Sequence, residues 1–236
     1  MEYLGHRLRH EIKYYINDIV YHTLRSRLNT VAGPDPNMKE PEGYLISSLY
    51  LDDIYHSALE EKESGIQFRK KYRIRCYDRK DGRISLECKR KYGEYISKDS
   101  MRISRREYDA MLAGDYDFFL SYPDISGREV YALHHTRLLQ PAVTVEYLRE
   151  AYVTEQGNVR ITFDKNIAVS VGDCDMFSDH YEVKQVLEPG IMVLEVKYDD
   201  YLPDAVFQIL QTAMTNKCAI SKYVMCRNEK RRIMFR

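Results

Sequence analysis

Apolar and polar side chains alternate along seven stretches of this chain, and in an extended strand that alternation sends them to opposite faces. The stretches cover residues 6–16, 44–51, 68–78, 84–92, 142–154, 159–170 and 190–198. An Asp81-Gly82 pair supplies a turn signal between the third and fourth. Helical spacing appears after Asn17, a residue type suited to capping, where Val20, Leu24 and Leu28 recur. A short helix is expected over 53–64. Ser104 and Glu107 form a capping-box pattern ahead of an amphipathic stretch reaching about Leu120. A further helix is expected over 128–139, stopping before Pro141. Pro203 suits the first turn of a last helix carrying Val206, Ile209 and Leu210, and residues 221–227 read as a returning strand. Many strands, few helices and no βαβ alternation predict an α+β fold, an antiparallel β-barrel with helices packed outside. The turn-rich segment 33–43, with Pro34, Pro36 and Pro41, is the one break, so a single domain over residues 1–236 is expected.

The polar faces of these strands are unusually basic. Arg69, Lys71, Arg73 and Arg75 share one face, opposite Tyr72, Ile74 and Cys76. Glu87, Lys89 and Lys91 lie opposite Leu86 and Cys88; Glu11, Lys13 and Tyr15 alternate with His10, Ile12 and Tyr14. Tyr147 with Arg149, Arg160 with Thr162, and Glu195 with Lys197 repeat the arrangement. One polar face is ordinarily just a solvated face. Six with the same bias, backed by apolar residues such as Tyr72, Ile74, Leu86, Val145 and Val193, predict a barrel charged within and packed outside. Like charges ~5 Å apart repel by about 3 kcal/mol at an effective dielectric near 20, so such an interior calls for a polyanion. Phosphate oxygens suit arginine forks and lysine ammonium groups. Carboxylates in the same space would repel phosphate unless they held a divalent cation.

Composition narrows the partners. The 236 residues include 44% hydrophobic and 12% aromatic side chains, enough for a sizeable core. With 36 basic and 36 acidic residues the net charge is zero, and there is no basic tail, so nucleic acid is not an expected partner despite 21 tyrosines. No stretch nears the ~18 apolar residues that span a bilayer, and residues 1–10 lack an apolar signal core, so a cytoplasmic location is expected. Five cysteines without a CxxC pair suit that compartment; Cys76 and Cys88 fall at apolar strand positions as small buried hydrophobes. His134 and His135, the Gly172–Asp175 turn and Asp199-Asp200 carry no metal-binding spacing.

The ordered set Arg9-His-Glu-Ile-Lys13-Tyr14, Ser48-Leu-Tyr50-Leu-Asp52, Arg73-Ile-Arg75, Leu86-Glu87-Cys-Lys89, Tyr147-Leu-Arg149-Glu-Ala-Tyr152, Val159-Arg160-Ile-Thr-Phe-Asp164, Leu194-Glu195-Val-Lys197 and Ile220-Ser-Lys222-Tyr223 spans nearly the whole chain. Together these runs resemble the VTC domain, the polyphosphate polymerase module of the vacuolar transporter chaperone and of stand-alone bacterial relatives. That domain is one of the triphosphate tunnel metalloenzymes, alongside the CYTH triphosphatases. The resemblance implies that the barrel forms a triphosphate tunnel with Lys13, Arg73, Arg75, Lys89, Lys98, Arg149 and Arg160 as its phosphate-binding walls. It implies Glu195 as the metal ligand and Lys222 beside the reacting phosphate. The implied substrates are ATP and inorganic polyphosphate or triphosphate, the implied cofactor Mg²⁺ or Mn²⁺, with no obligate protein partner.

The implied chemistry is phosphoryl transfer, which needs positioning and charge neutralisation more than a strong base. Arg73, Arg75, Arg149 and Arg160 would align the phosphates, while Lys197 and Lys222 meet charge developing in transfer. CYTH triphosphatases typically open with Glu-x-Glu-x-Lys; here arginine stands at the first glutamate, in Arg9-His10-Glu11-Ile12-Lys13. That substitution favours the polymerase branch over hydrolysis, with a non-catalytic polyphosphate-binding module as a further alternative. Glu11 and Glu87 suit either pairing with tunnel cations or approach to the metal. Asp52 and Asp164 suit strand-end hydrogen bonding, an outer-sphere metal role being the alternative.

Overall fold

The computed structural model describes residues 2–3, 6–123, 125–213 and 218–234. Eight antiparallel strands close on themselves: β1 (Arg9–Asn17), β2 (Tyr44–Asp52), β3 (Phe68–Tyr77), β4 (Lys80–Tyr92), β5 (Tyr95–Ile103), β6 (Gln140–Thr154), β7 (Val159–Ser170) and, after the short edge strand β8 (Val183–Gln185), β9 (Ile191–Tyr198). The order round the ring is β7-β9-β1-β5-β4-β3-β2-β6, and β6 pairs back onto β7. Its thinnest seam joins β1 to β5 through only Arg9↔Ile96 and His10↔Tyr95.

Helices α1 (Asp18–Leu28), α2 (Ser57–Glu63), α3 (Arg105–Leu112), α4 (Ile125–Arg137), α5 (Asp204–Leu210) and α6 (Lys222–Met234) complete the fold. Asn17 caps α1 by accepting from Val20 N at 3.0 Å, and the Ser104/Glu107 capping box opens α3. Outer faces are mostly apolar where helices cover them. Tyr72, Ile74, Leu86 and Cys88 pack with Tyr108, Met111, Phe119 and Val130, under α3 and α4. Across the barrel, Tyr14, Ile16, Leu194, Val196, Ile161 and Phe163 pack beneath α1 and α5. Each such fully buried side chain contributes roughly 1.5–3 kcal/mol.

Four expectations need correction. Residues 222–227 of the expected strand lie in helix α6, with Ser221 immediately before it: the ring is already closed, and α6 buries Lys222, Tyr223 and Cys226 at helical spacing. Pro203 therefore precedes a penultimate helix, at its N-cap. The turn between β3 and β4 is Asp78-Arg79, with φ of 52° and 51°, rather than Asp81-Gly82. It is held by paired bonds from Arg79 to Glu146 at 2.8 and 2.9 Å and by the Arg79 guanidinium 3.9 Å above the Tyr181 ring. Lastly, Val145 and Val193 face inward. They share strand faces with Tyr147 and Glu195 and join Ile46, Val169, Tyr223 and Cys226 in an internal apolar cluster against α6. The barrel interior is thus half oily and half charged.

Candidate functional site

The charged half encloses a cavity of about 420 Å³. Strand alternation brings Lys13 (β1), Arg73 and Arg75 (β3), Lys89 (β4), Arg149 (β6), Glu195 and Lys197 (β9) into its wall, and α6 adds Lys222. Two expected wall residues do not line it. Lys98 donates to Glu87 at 2.8 Å, and Arg160 pairs with Asp35 at 2.8 Å and donates to the Tyr44 hydroxyl at 2.9 Å. The wall also includes Lys62, Arg69, Lys71, Lys91, Tyr50, Ser221 and Tyr223. Arg69, Lys71 and Lys91 extend the basic strand faces legible in the sequence. Lys62 sits on α2, where no alternation marks it.

Carboxylates stand between the inner cations. Glu11 lies 3.0 Å from Lys13 and 2.6 Å from Lys89; Glu195 lies 3.3 Å from Lys13 and 2.7 Å from Lys197. Arg149 grips Asp164 through two bonds of 2.6 and 2.7 Å, and Lys222 reaches the same carboxylate at 2.5 Å. Arg73 pairs with Glu87 at 2.7 Å and donates to the Tyr50 hydroxyl at 3.0 Å. Arg75 donates to the Tyr147 hydroxyl at 3.1 Å and to Ser48 at 3.2 Å. Asp52, by contrast, is structural: it accepts from Ala58 N at 2.9 Å in α2 and from the Tyr223 hydroxyl.

These pairings set the titration behaviour. Burial pushes the Glu11, Glu87, Asp164 and Glu195 carboxyls up, but the adjacent lysines and arginines outweigh it and hold all four below the usual carboxylate range. Burial lowers Lys89 to about 7 against the pull of Glu11. It also takes Lys71, crowded by Arg69, Lys89, Lys13 and Lys62, well below an ordinary lysine.

The donor set fits a divalent cation. Glu195 is buried, its Oε1 accepts no hydrogen bond, and Lys197 meets that atom only as an ion pair. Glu11 shares both Lys13 and Lys197 with it. Among the described residues no cluster of three His, Cys, Asp or Glu side chains exists. The protein can therefore supply one or two carboxylates, as Mg²⁺-like ions accept when phosphate and water complete the shell.

The sequence profile described as VTC domain matches residues 8–229. Among solved structures, a candidate adenylate cyclase of Bacillus halodurans is similar with a TM-score of 0.52 at 15% identity, over 92% of this chain and 96% of that one. A candidate adenylate cyclase of Vibrio parahaemolyticus gives 0.50 at 9% identity, over 93% and 98%. At these identities the likeness is one of fold. No curated protein matches the sequence. Among the described residues, no helix is long and apolar enough to cross a membrane.

Proposed function

Because this chain belongs to the VTC domain family, we propose that it transfers the γ-phosphate of ATP to a growing inorganic polyphosphate chain inside the basic cavity. The observation that carries this reading is convergence: cations from β1, β3, β4, β6, β9 and α6 meet around one cavity that is partly open to solvent. Linked phosphates offer closely spaced anionic oxygens and no donors, which matches a wall of ammonium and guanidinium groups.

Arg73, Arg75 and Arg149 hold the phosphates in line, since Tyr50, Tyr147 and the two-bond grip on Asp164, respectively, set their planes. Lys13 and Lys89 flank the chain on the Glu11 side. Lys197 and Lys222 meet charge that builds on the transferring group and leaving oxygen. Glu195, with Glu11 beside it, holds Mg²⁺ or Mn²⁺; when bound, the metal neutralises phosphate oxygens that these carboxylates would otherwise repel. The acceptor is already ionised, so the wall has no need of a strong base for chain growth. Arg9, which occupies the first position of the Glu-x-Glu-x-Lys pattern, pairs with Asp199 at 3.0 Å. One metal carboxylate fewer than in hydrolases of that pattern supports transfer over hydrolysis.

The test is to incubate purified protein with ATP and Mn²⁺ or Mg²⁺, then resolve polyphosphate on a gel while assaying free phosphate. Polymer with ADP release is expected. Free phosphate alone would assign hydrolysis, and tight binding of tripolyphosphate without turnover would assign a binding module. Glu195→Gln is expected to abolish turnover while tripolyphosphate still binds; full turnover in that variant would refute the site.

A further inference from the structure

Ser221 stands immediately before α6 and lines the cavity, and its hydroxyl oxygen accepts hydrogen bonds from Lys71 Nζ at 3.2 Å and from Val224 N, in the first turn of α6, at 3.4 Å. Lys71 differs from the inner cations in its company. Among the described residues it makes no ion pair, and its other close neighbour is the Tyr223 ring, 4.8 Å from Nζ. Lys71 projects from β3 on the same face as Arg73 and Arg75. Lys222, next in sequence to the serine, lies in the same wall. A serine of the cavity wall hydrogen-bonded to a lysine that has no carboxylate is the arrangement by which Ser–Lys pairs generate an oxygen nucleophile.

We propose that Ser221 is a phosphoryl acceptor: its hydroxyl attacks the terminal phosphorus of a nucleoside triphosphate held in the cavity, with Lys71 as the base, and becomes phosphoserine. In this step the Ser221 Oγ–P bond forms. The bond from the γ-phosphorus to the β,γ-bridging oxygen breaks, and its electron pair leaves with the nucleoside diphosphate. The hydroxyl proton passes to Lys71 Nζ, which becomes an ammonium. Burial and the neighbouring cations Arg69, Lys89, Lys13 and Lys62 lower the Lys71 amine from an ordinary lysine, which reduces the cost of reaching the neutral form. Afterwards the new phosphate, carrying about −1.5 to −2 charges, sits beside the charged Lys71, near Lys222 and at the start of a 13-residue helix.

The other hydroxyls of the wall lack this arrangement. Tyr50 and Tyr147 accept from Arg73 and Arg75, and Tyr223 donates to Asp52. The inference rests on the reading that the cavity holds a triphosphate, but not on chain growth.

The experiment uses γ-labelled ATP with Mg²⁺, an acid quench that phosphoserine survives, and tandem mass spectrometry to locate the phosphate. Label at Ser221 is expected in the unaltered protein and none in Ser221→Ala. Lys71→Met and Lys71→Arg are expected to slow labelling on the order of a hundredfold while still binding ATP by calorimetry. The arginine variant keeps the charge and cannot serve as the base. ATP binding without label at Ser221, or wild-type labelling rates in both Lys71 variants, overturns this inference alone. Failure to bind both ATP and tripolyphosphate overturns the cavity reading with it.

Discussion

Asp164 is the point where the charged half of the barrel is most exposed to perturbation. Its side chain is fully buried, and it is shared by Arg149 and Lys222, which are only 8% and 9% exposed. Asp164→Asn keeps the size and removes the charge, leaving two buried cations facing a neutral amide. Breaking a buried pair from one side costs about 3–5 kcal/mol, because the partner's charge is left uncompensated. For a chain of this length each kcal/mol moves Tm by about 2–4 °C, so a fall of roughly 6–20 °C is expected. Tripolyphosphate should reverse part of it. At a hundredfold excess over Kd a ligand stabilises the native state by about 2.7 kcal/mol, and in the variant the anion also supplies the charge that Asp164 no longer provides. Differential scanning fluorimetry with and without tripolyphosphate therefore tests two linked outcomes: a lower Tm for the variant, and a larger ligand-induced rise than in the unaltered protein. A variant melting within about 2 °C of the parent, or rescued no more than the parent is stabilised, would refute the reasoning.

Other outcomes follow from the same geometry. In the unfolded chain Glu11, Glu87 and Glu195 take protons near 4.5 and Asp164 near 3.8, whereas the folded carboxyls do so only at lower pH. The unfolded state thus binds more protons in that window, so stability present above about pH 5 should drain away as pH falls; urea midpoints flat from pH 7 to pH 3 would contradict this. Gly43→Ala should destabilise by at least about 1–3 kcal/mol in urea, since Gly43 has φ of +109° and an added Cβ would lie 2.2 Å from the Arg149 carbonyl oxygen. Gly33→Ala, where nothing lies within 4 Å, serves as the near-neutral control. Arg149→Met should weaken tripolyphosphate binding by about tenfold or more in calorimetry, while Arg160→Met, whose guanidinium is engaged by Asp35 and Tyr44, should stay within about threefold; equal losses would return Arg160 to the binding wall.

The sequence carried most of the barrel because seven of its eight ring strands keep their alternation. Strand β5 did not, and the reason is a charged network on its outer face. Arg90 there is buried between Asp99 and Glu129, and Glu129 also takes bonds from Lys70 at 2.9 Å and the Tyr72 hydroxyl at 2.8 Å. A buried Ser97 and a partly buried Asp99 on that face erase the apolar period that marks a strand. The α6 error has a different source. A short apolar run reads equally as strand or helix, and only the closed ring, which offers it no strand edge, decides between them. The Asp78-Arg79 turn was hidden because an arginine at positive φ depends on Glu146 and Tyr181, residues far away in sequence.

The site was legible as a set of cations and illegible as an electrostatic balance. Strand parity places Lys13, Arg73, Arg75, Lys89, Arg149 and Lys197 on inward faces, and they do reach the cavity. Parity says nothing of distance along the barrel, which is why Lys98 and Arg160 end on Glu87 and Asp35 instead. Nor does it reveal that each inner cation except Arg75 has a carboxylate within 3.3 Å. Bare repulsion inside an empty basic barrel is therefore smaller than cation counting implies. On the proposed reading, phosphate binding would be an exchange in which lysines turn from Glu11, Asp164 and Glu195 towards the ligand while the arginines keep the partners that set their planes. The freed carboxylates would then need a countercharge of their own, which a divalent cation held by Glu195 and Glu11 would supply under the proposed function. Metal and phosphate would then bind cooperatively, each removing the electrostatic cost that the other creates, and tripolyphosphate affinity that calorimetry finds unchanged by Mg²⁺ would contradict it.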